Sequence, residues 1–211
     1  MLAVRAIAAR LRNRKFTTSE VAAMFGSTLA QVNNLIDEVA QAGAAQAGGG
    51  KRVVEYRSLF ALLLAEELIY CQLKPALRRE ALKQAVKTRA KRVTVPGTNL
   101  SVLVQPYRER AQEGMRRLHE AEETVHSHKE IMQGEPCIKG TRVPVYIVAA
   151  IAAAKGREEA MATYPSLDQR QVEHAEVFAK AHPRRGRPKT TDFPAQARIV
   201  ATKVIKRKKA R

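Results

Sequence analysis

The chain has 211 residues, with 38 Lys and Arg against 20 Asp and Glu, a formal net charge of +18 and a pI near 10.4. Apolar residues make up 45% of it, which is enough to bury a core and excludes wholesale disorder; aromatics are 5% and Trp is absent, so any core is built from Ala, Leu, Val and Ile. The longest apolar run, 143–154, falls short of the ~18 residues of a membrane span, the Arg-interleaved N-terminus does not read as a signal peptide, and two cysteines cannot make a disulfide scaffold, so a soluble, cytoplasmic protein is expected.

The charge is unevenly spread. Residues 1–58 and 59–125 each carry +4, residues 126–182 are neutral, and residues 183–211 carry +10. A density of that kind marks an interaction tail for an anionic partner, with a solubilising tail as the alternative.

In chain order, Thr17-Thr18-Ser19-Glu20 has capping-box spacing and opens a helix carrying Val21, Met24 and Phe25, which Gly26 ends. A second box, Thr28 with Gln31, opens a helix whose apolar stripe is Leu29, Val32, Leu35, Ile36 and Val39. Two short helices joined by a tight Gly-containing turn make a helix-turn-helix unit. The opposite face of the second helix presents Thr28, Gln31, Asn33 and Asn34, side chains of the kind that read base edges in the major groove. Gly48-Gly49-Gly50 then makes a tip before Lys51-Arg52-Val53-Val54-Glu55-Tyr56, two short strands around it forming a wing with Lys51 and Arg52 placed for phosphate. Arg57 to Tyr70 returns as an apolar helix. This order over residues 16–70 resembles the winged helix-turn-helix of the MerR and excisionase type, which implies DNA binding. A helical protein-interaction module is the competing reading.

Lys74 to Ala90 reads as a basic amphipathic helix with Leu77, Leu82 and Val86 inside, and 92–95 and 100–104 as strands around Pro96-Gly97-Thr98-Asn99. Tyr107 to Glu123 alternates charge and reads as a solvated helix. Residues 73–123 are therefore expected to be a connector and a self-association surface.

From Val125 the character changes. Two extended pieces meet around Gly134 and Gly140, with Ile131, Ile138 and Val143 filling a core and Lys139 and Arg142 on the surface. Three short helices follow: 146–154 after Pro144, 157–164 before Pro165, and one opened by a Ser166/Gln169 box through about Ala181. The run Glu-Ile-Met-Gln-Gly-Glu-Pro-Cys-Ile-Lys-Gly-Thr-Arg-Val-Pro-Val (130–145), with Tyr-Pro-Ser-Leu before the third helix, resembles the small antitoxin domain that accompanies PIN-type nuclease toxins in VapBC-like systems. Coverage is about residues 124–182; His128-Lys129 departs from the Asp-Pro usual there. The resemblance implies a trihelical, helix-turn-helix-like fold, a PIN-like ribonuclease toxin as partner, operator DNA as a second partner, and a homodimer or toxin–antitoxin hetero-oligomer.

In the tail, Arg184-Arg185-Gly186-Arg187-Pro188-Lys189 contains an AT-hook-like core for the minor groove. Given the antitoxin resemblance, Arg184, Arg185, Arg187, Lys189 and, on a short helix at 195–204, Arg198 are instead expected to pair with the carboxylates of a nuclease site. The five histidines complete no zinc spacing, and no nucleotide-binding loop or nucleophile motif occurs, so no enzyme activity, cofactor or metal is expected. The whole reads as mainly α with small β elements: a winged helix-turn-helix over 1–72, a connector over 73–123, a trihelical domain with a short β-hairpin over 124–182, and a basic tail over 183–211. The expected function is an antitoxin that also represses its own operon. The alternative is a stand-alone DNA-binding regulator with an AT-hook-like tail.

Overall fold

The computed structural model describes residues 14–43, 52–88, 90–95 and 97–184. It is mainly helical with three two-stranded antiparallel pairs among the described residues. Strand β1 (Lys15–Thr17) leads into α1 (Thr18–Phe25), where Thr17 Oγ1 accepts from the Glu20 amide and Glu20 Oε2 accepts from the Thr17 amide at 2.6 Å. Gly26 ends the helix at φ 73°, a conformation open to glycine at little cost. The same reciprocal box, Thr28 with Gln31, starts α2 (Leu29–Gln41), which buries Val32, Leu35, Ile36 and Val39. Leu29 does not join that stripe: it lies at the first helical position, on a turn with nothing packed over it, and is 49% exposed.

One strand of the expected wing is described, and it pairs with β1, while the strand expected before the glycine tip lies outside the described residues. β2 (Val53–Glu55) lies against β1, with Phe16 opposite Val54, both fully buried. Burying Phe16 gives that pairing an apolar side. Residues 44–51, the glycine tip and Lys51 included, lie outside the described residues. A single 3₁₀ turn (Tyr56–Ser58) then starts α3 (Leu59–Tyr70), whose Leu59, Ala61, Leu62, Leu63, Leu64, Ala65 and Leu68 make it the central helix of the core.

Residues 73–123 are more than a connector. Helix α4 (Pro75–Lys87), the hairpin of β3 (Arg92–Thr94) and β4 (Ser101–Leu103), and α5 (Gln105–Glu123) bury Ala81, Leu82, Ala85, Val93, Val95, Val104, Ala111, Met115 and Leu118 in the same cluster as α1–α3. The charge alternation that made α5 look solvated describes one face only. Its small residues Ala111, Gly114 and Ala121 let it lie close to its neighbours.

The second unit, the trihelical one, has the elements its pattern predicts. β5 (Val125–His126) pairs with β6 (Cys137–Ile138), and α6 (Val145–Lys155), α7 (Arg157–Thr163) and α8 (Gln169–Ala181) bury Ile138, Val145, Val148, Ala160, Leu167, Val172 and Ala175. Two expectations need correction. The cap of α8 is Asp168, whose side chain accepts from the Gln171 amide at 2.7 Å, because the turn after Pro165 carries on to bury Leu167 before the helix can start. Ile131 stays outside the core, and Cys137, on the paired strand, is the fully buried residue.

Helix α8 packs on α6 within its own unit and on α1 and α5 of the first. At the junction of α1 with α5, a Cβ on Gly114 would lie 3.1 Å from both Met24 Cβ and the Met24 carbonyl oxygen, and Arg117 Nη2 donates to that carbonyl at 2.8 Å. Gly114→Val should therefore wedge α5 off α1 and lower stability by about 1–3 kcal/mol, the usual result of overpacking. A urea titration checks this, and an unchanged midpoint would show that α1 yields without cost.

Candidate nucleic-acid interface

Helix α2 turns its apolar stripe inward, so its other face is the candidate reading surface. Thr28, Gln31 and Asn34 are exposed on it, and Asn33 is half-buried at its edge. They are not equally available. Gln31 Oε1 is taken by the cap, accepting from the Thr28 amide at 2.8 Å and the Thr28 hydroxyl at 2.9 Å, so only its NH₂ is left to donate. Asn33 is turned toward Arg52, whose Nη1 donates to the Asn33 carbonyl and Oδ1, each at 3.4 Å, and to Asp37 at 3.2 Å. Arg52 is thus a strut between β2 and α2, with its charge partly answered by Asp37. The Asn34 side chain makes no hydrogen bond among the described residues and keeps both donor and acceptor free.

The third helix of the trihelical unit, α8, is not open in the way α2 is. Of α8 only Gln169, Arg170 and Lys180 are exposed, because its remaining surface is packed. Salt bridges hold it there: Arg170 to Glu120 of α5 at 3.1 Å, and Glu173 and Glu176 to Arg157 of α7. His174 Nδ1 lies 2.7 Å from the Thr124 hydroxyl, which already donates to the Glu120 carbonyl, so the ring nitrogen is the donor. Burial and nearby Arg170 hold the His174 pKa below its ordinary value against the pull of Glu120.

A four-residue ion network joins the two units, built from residues far apart in the chain. Arg14 forks onto Glu122 of α5, with Nη1 at 2.7 Å and Nη2 at 2.6 Å, and also meets Glu20 of α1 at 2.5 Å. His182, just past α8, reaches Glu122 at 3.1 Å. Burial pushes the Glu122 carboxyl up, but hydrogen bonds from Arg14 and His182 outweigh it and hold it down at about 2. Glu20, Glu122 and His182 have the spacing to hold a cation, and the Arg14 guanidinium is the cation among them. Nothing in the spacing 14, 20, 122, 182 signals such a cluster.

Of the tail residues, Arg184 alone is described. Its guanidinium stacks 4.5 Å over the Tyr146 ring and pairs with Glu135, while the Tyr146 hydroxyl donates to the His182 carbonyl at 2.6 Å. Arg184 is thereby an anchor at the root of the tail, not a free finger. Arg185, Arg187, Lys189 and Arg198 lie outside the described residues, and Lys139 and Arg142 are exposed as expected.

The trihelical segment is similar to a known family. Residues 125–179 match DUF433, described as a protein of unknown function. The DUF433 segment thus takes in β5 through most of α8, including the junction residues His174 and Arg170. A protein of Sinorhizobium fredii (strain NBRC 101917 / NGR234), named Uncharacterized protein y4eO, is 36% identical over 118 residues, 55% of this chain and 53% of its own length. The chain therefore spans about half the length of that relative. No solved structure matches. Among the described residues no helix is long and apolar enough to cross a membrane.

Proposed function

We propose that the chain is an antitoxin that represses its own operon, reading operator DNA through α2 and neutralising a PIN-like ribonuclease through the trihelical unit and the basic tail. The observation that carries the DNA half is the exposed face of α2: a capped helix, buried on one side, with the unpartnered Asn34 on the other and a basic strut beside it. The partner half is supported by the resemblance of 124–182 to the antitoxin domain and by the tail charge of +10. Arg184 supports it further, since a tail rooted at Tyr146 and Glu135 leaves the body at the surface of that same unit.

The two halves have separate tests. For DNA, Asn34→Ala should relax operator discrimination by about 1–3 kcal/mol without changing the melting midpoint. Gln31→Ala should lose a similar amount and also destabilise the fold by about 1 kcal/mol, because it breaks the capping box. Mobility-shift titrations on operator and scrambled duplexes check this, and full discrimination in Asn34→Ala would remove α2 from base reading. For the partner, the product of the adjoining gene should co-purify with the chain and cleave RNA only once released. A neighbour that shows no binding would favour the stand-alone regulator.

A further inference from the structure

Between residues 74 and 94 the sequence carries eight Lys or Arg and one acidic residue, Glu80. Two of these charges are used internally. Arg78 bonds Glu38 of α2 at 3.0 Å and the Leu73 carbonyl at 2.8 Å, and Glu80 accepts from Gln84 at 3.4 Å. Arg79, Lys83 and Lys87 stand four residues apart, so they form one line along α4 with about 6 Å of rise from each to the next. All three are exposed, as are Lys91 and Arg92 beyond the helix, and none of the five makes an ion pair among the described residues. Like charges at this spacing destabilise a helix, so local structure does not account for them.

At Lys87 the line meets a groove of about 560 Å³ between α3, α4 and α5, floored by Tyr56, Phe60 and Met115. Arg57 and Lys87 stand at its sides, and no acidic residue lines it. Arg108 lies there too, stacked on Phe60 at 5.0 Å and donating to the carbonyls of Ala85, Thr88 and Ala90 at the end of α4. The groove between α5 and α8 differs, because Glu120, Glu173 and Glu176 answer its arginines.

We infer that the line Arg79–Lys83–Lys87, with Arg57 across the groove, seats the phosphate backbone of duplex DNA as a second contact beside α2. The inference rests on the DNA reading proposed above. The Arg78–Glu38 bridge ties α4 to α2, so this charge is held at a set distance from the reading helix. An evenly spaced row of long, unpaired cations fits a polyanion. A protein partner would want apolar anchors at the centre of the patch, and α4 exposes no large apolar side chain.

The test uses the full chain and the triple variant Arg79→Gln, Lys83→Gln, Lys87→Gln, with Asn34→Ala alongside. Affinity for random-sequence and operator duplexes is measured by fluorescence anisotropy across a salt series. Each lost phosphate contact removes about 0.9 from the slope of log K against log salt, so the triple variant should lose about 2–3 from that slope on both duplexes. Its melting midpoint should stay level or rise slightly as the like charges go. The tail contributes equally to every variant, so the difference isolates α4. An unchanged slope in the triple variant overturns the inference, and so does an unchanged slope accompanied by lost binding to poly-glutamate, which would assign the row to an acidic protein. Unchanged discrimination in Asn34→Ala overturns the α2 reading instead, so the two failures are distinct. A wild-type chain that binds no duplex overturns both.

Discussion

Glu122→Ala should cost about 3 kcal/mol and lower the melting midpoint by roughly 6–12 °C, the largest stability loss expected of any single substitution at the junction of the two units. The change leaves the Arg14 guanidinium half-buried with Glu20 alone and frees His182. Truncating one partner of such a pair strands the other, which is why the loss exceeds that of a surface salt bridge. The paired change Arg14→Met with Glu122→Leu should lose less than Glu122→Leu alone, because it removes both charges and fills the space. The network also sets an acid limit. Glu122 is held at about 2 in the fold against 4.5 ordinarily, so its contribution is fully present above about pH 4.5 and is lost as the pH falls through about 2. Glu122→Gln should flatten that acid limb. Thermal melts from pH 2 to 7 check both points, and a loss below about 1 kcal/mol with an unaltered acid limb would show that the two units hold together without this clasp.

On the proposed antitoxin function, Arg185→Ala with Arg187→Ala should release the proposed nuclease partner, with a loss of about 2–5 kcal/mol for each arginine that meets a carboxylate in a dry site. That is tens to thousands of fold in affinity. Arg184 belongs to a different experiment, since it already pairs with Glu135 and stacks on Tyr146. Arg184→Ala should loosen the root of the tail and weaken inhibition by less, because an exposed ion pair and one cation–π contact are each worth about 1 kcal/mol or less. RNA cleavage by the co-purified partner reads both variants. Retained inhibition in the double variant together with lost affinity for A·T-rich duplex would assign the tail to the minor groove.

Local chemistry was legible wherever a short stretch of chain decides its own structure. The boxes at Thr17/Glu20 and Thr28/Gln31 and the Gly26 stop followed from spacing alone, because their partners lie within one helical turn. At the start of α8 spacing alone does not decide the cap, which lies two residues after Ser166. Ser166/Gln169 and Asp168/Gln171 have the same spacing, and the burial of Leu167 selected between them. Periodicity likewise identified the apolar face of α2 but could not know that nothing would cover Leu29.

The sequence by itself determined the helical units, the caps at Thr17 and Thr28, the segment matched over 125–179 and the placement of charge in the tail. Each of these depends on residues near one another in the chain. Tertiary structure alone decided that α5 bridges the two units, that β2 pairs with β1, and that α8 is packed away while α2 is open. It also brought Arg14, Glu20, Glu122 and His182 together over 168 positions, and spent Arg52 and Arg184 on internal contacts. The physical reason is common to all of them. A charged side chain carries the same letter whether it faces water, a phosphate or a buried carboxylate, and only the packing of distant segments decides which of these it meets.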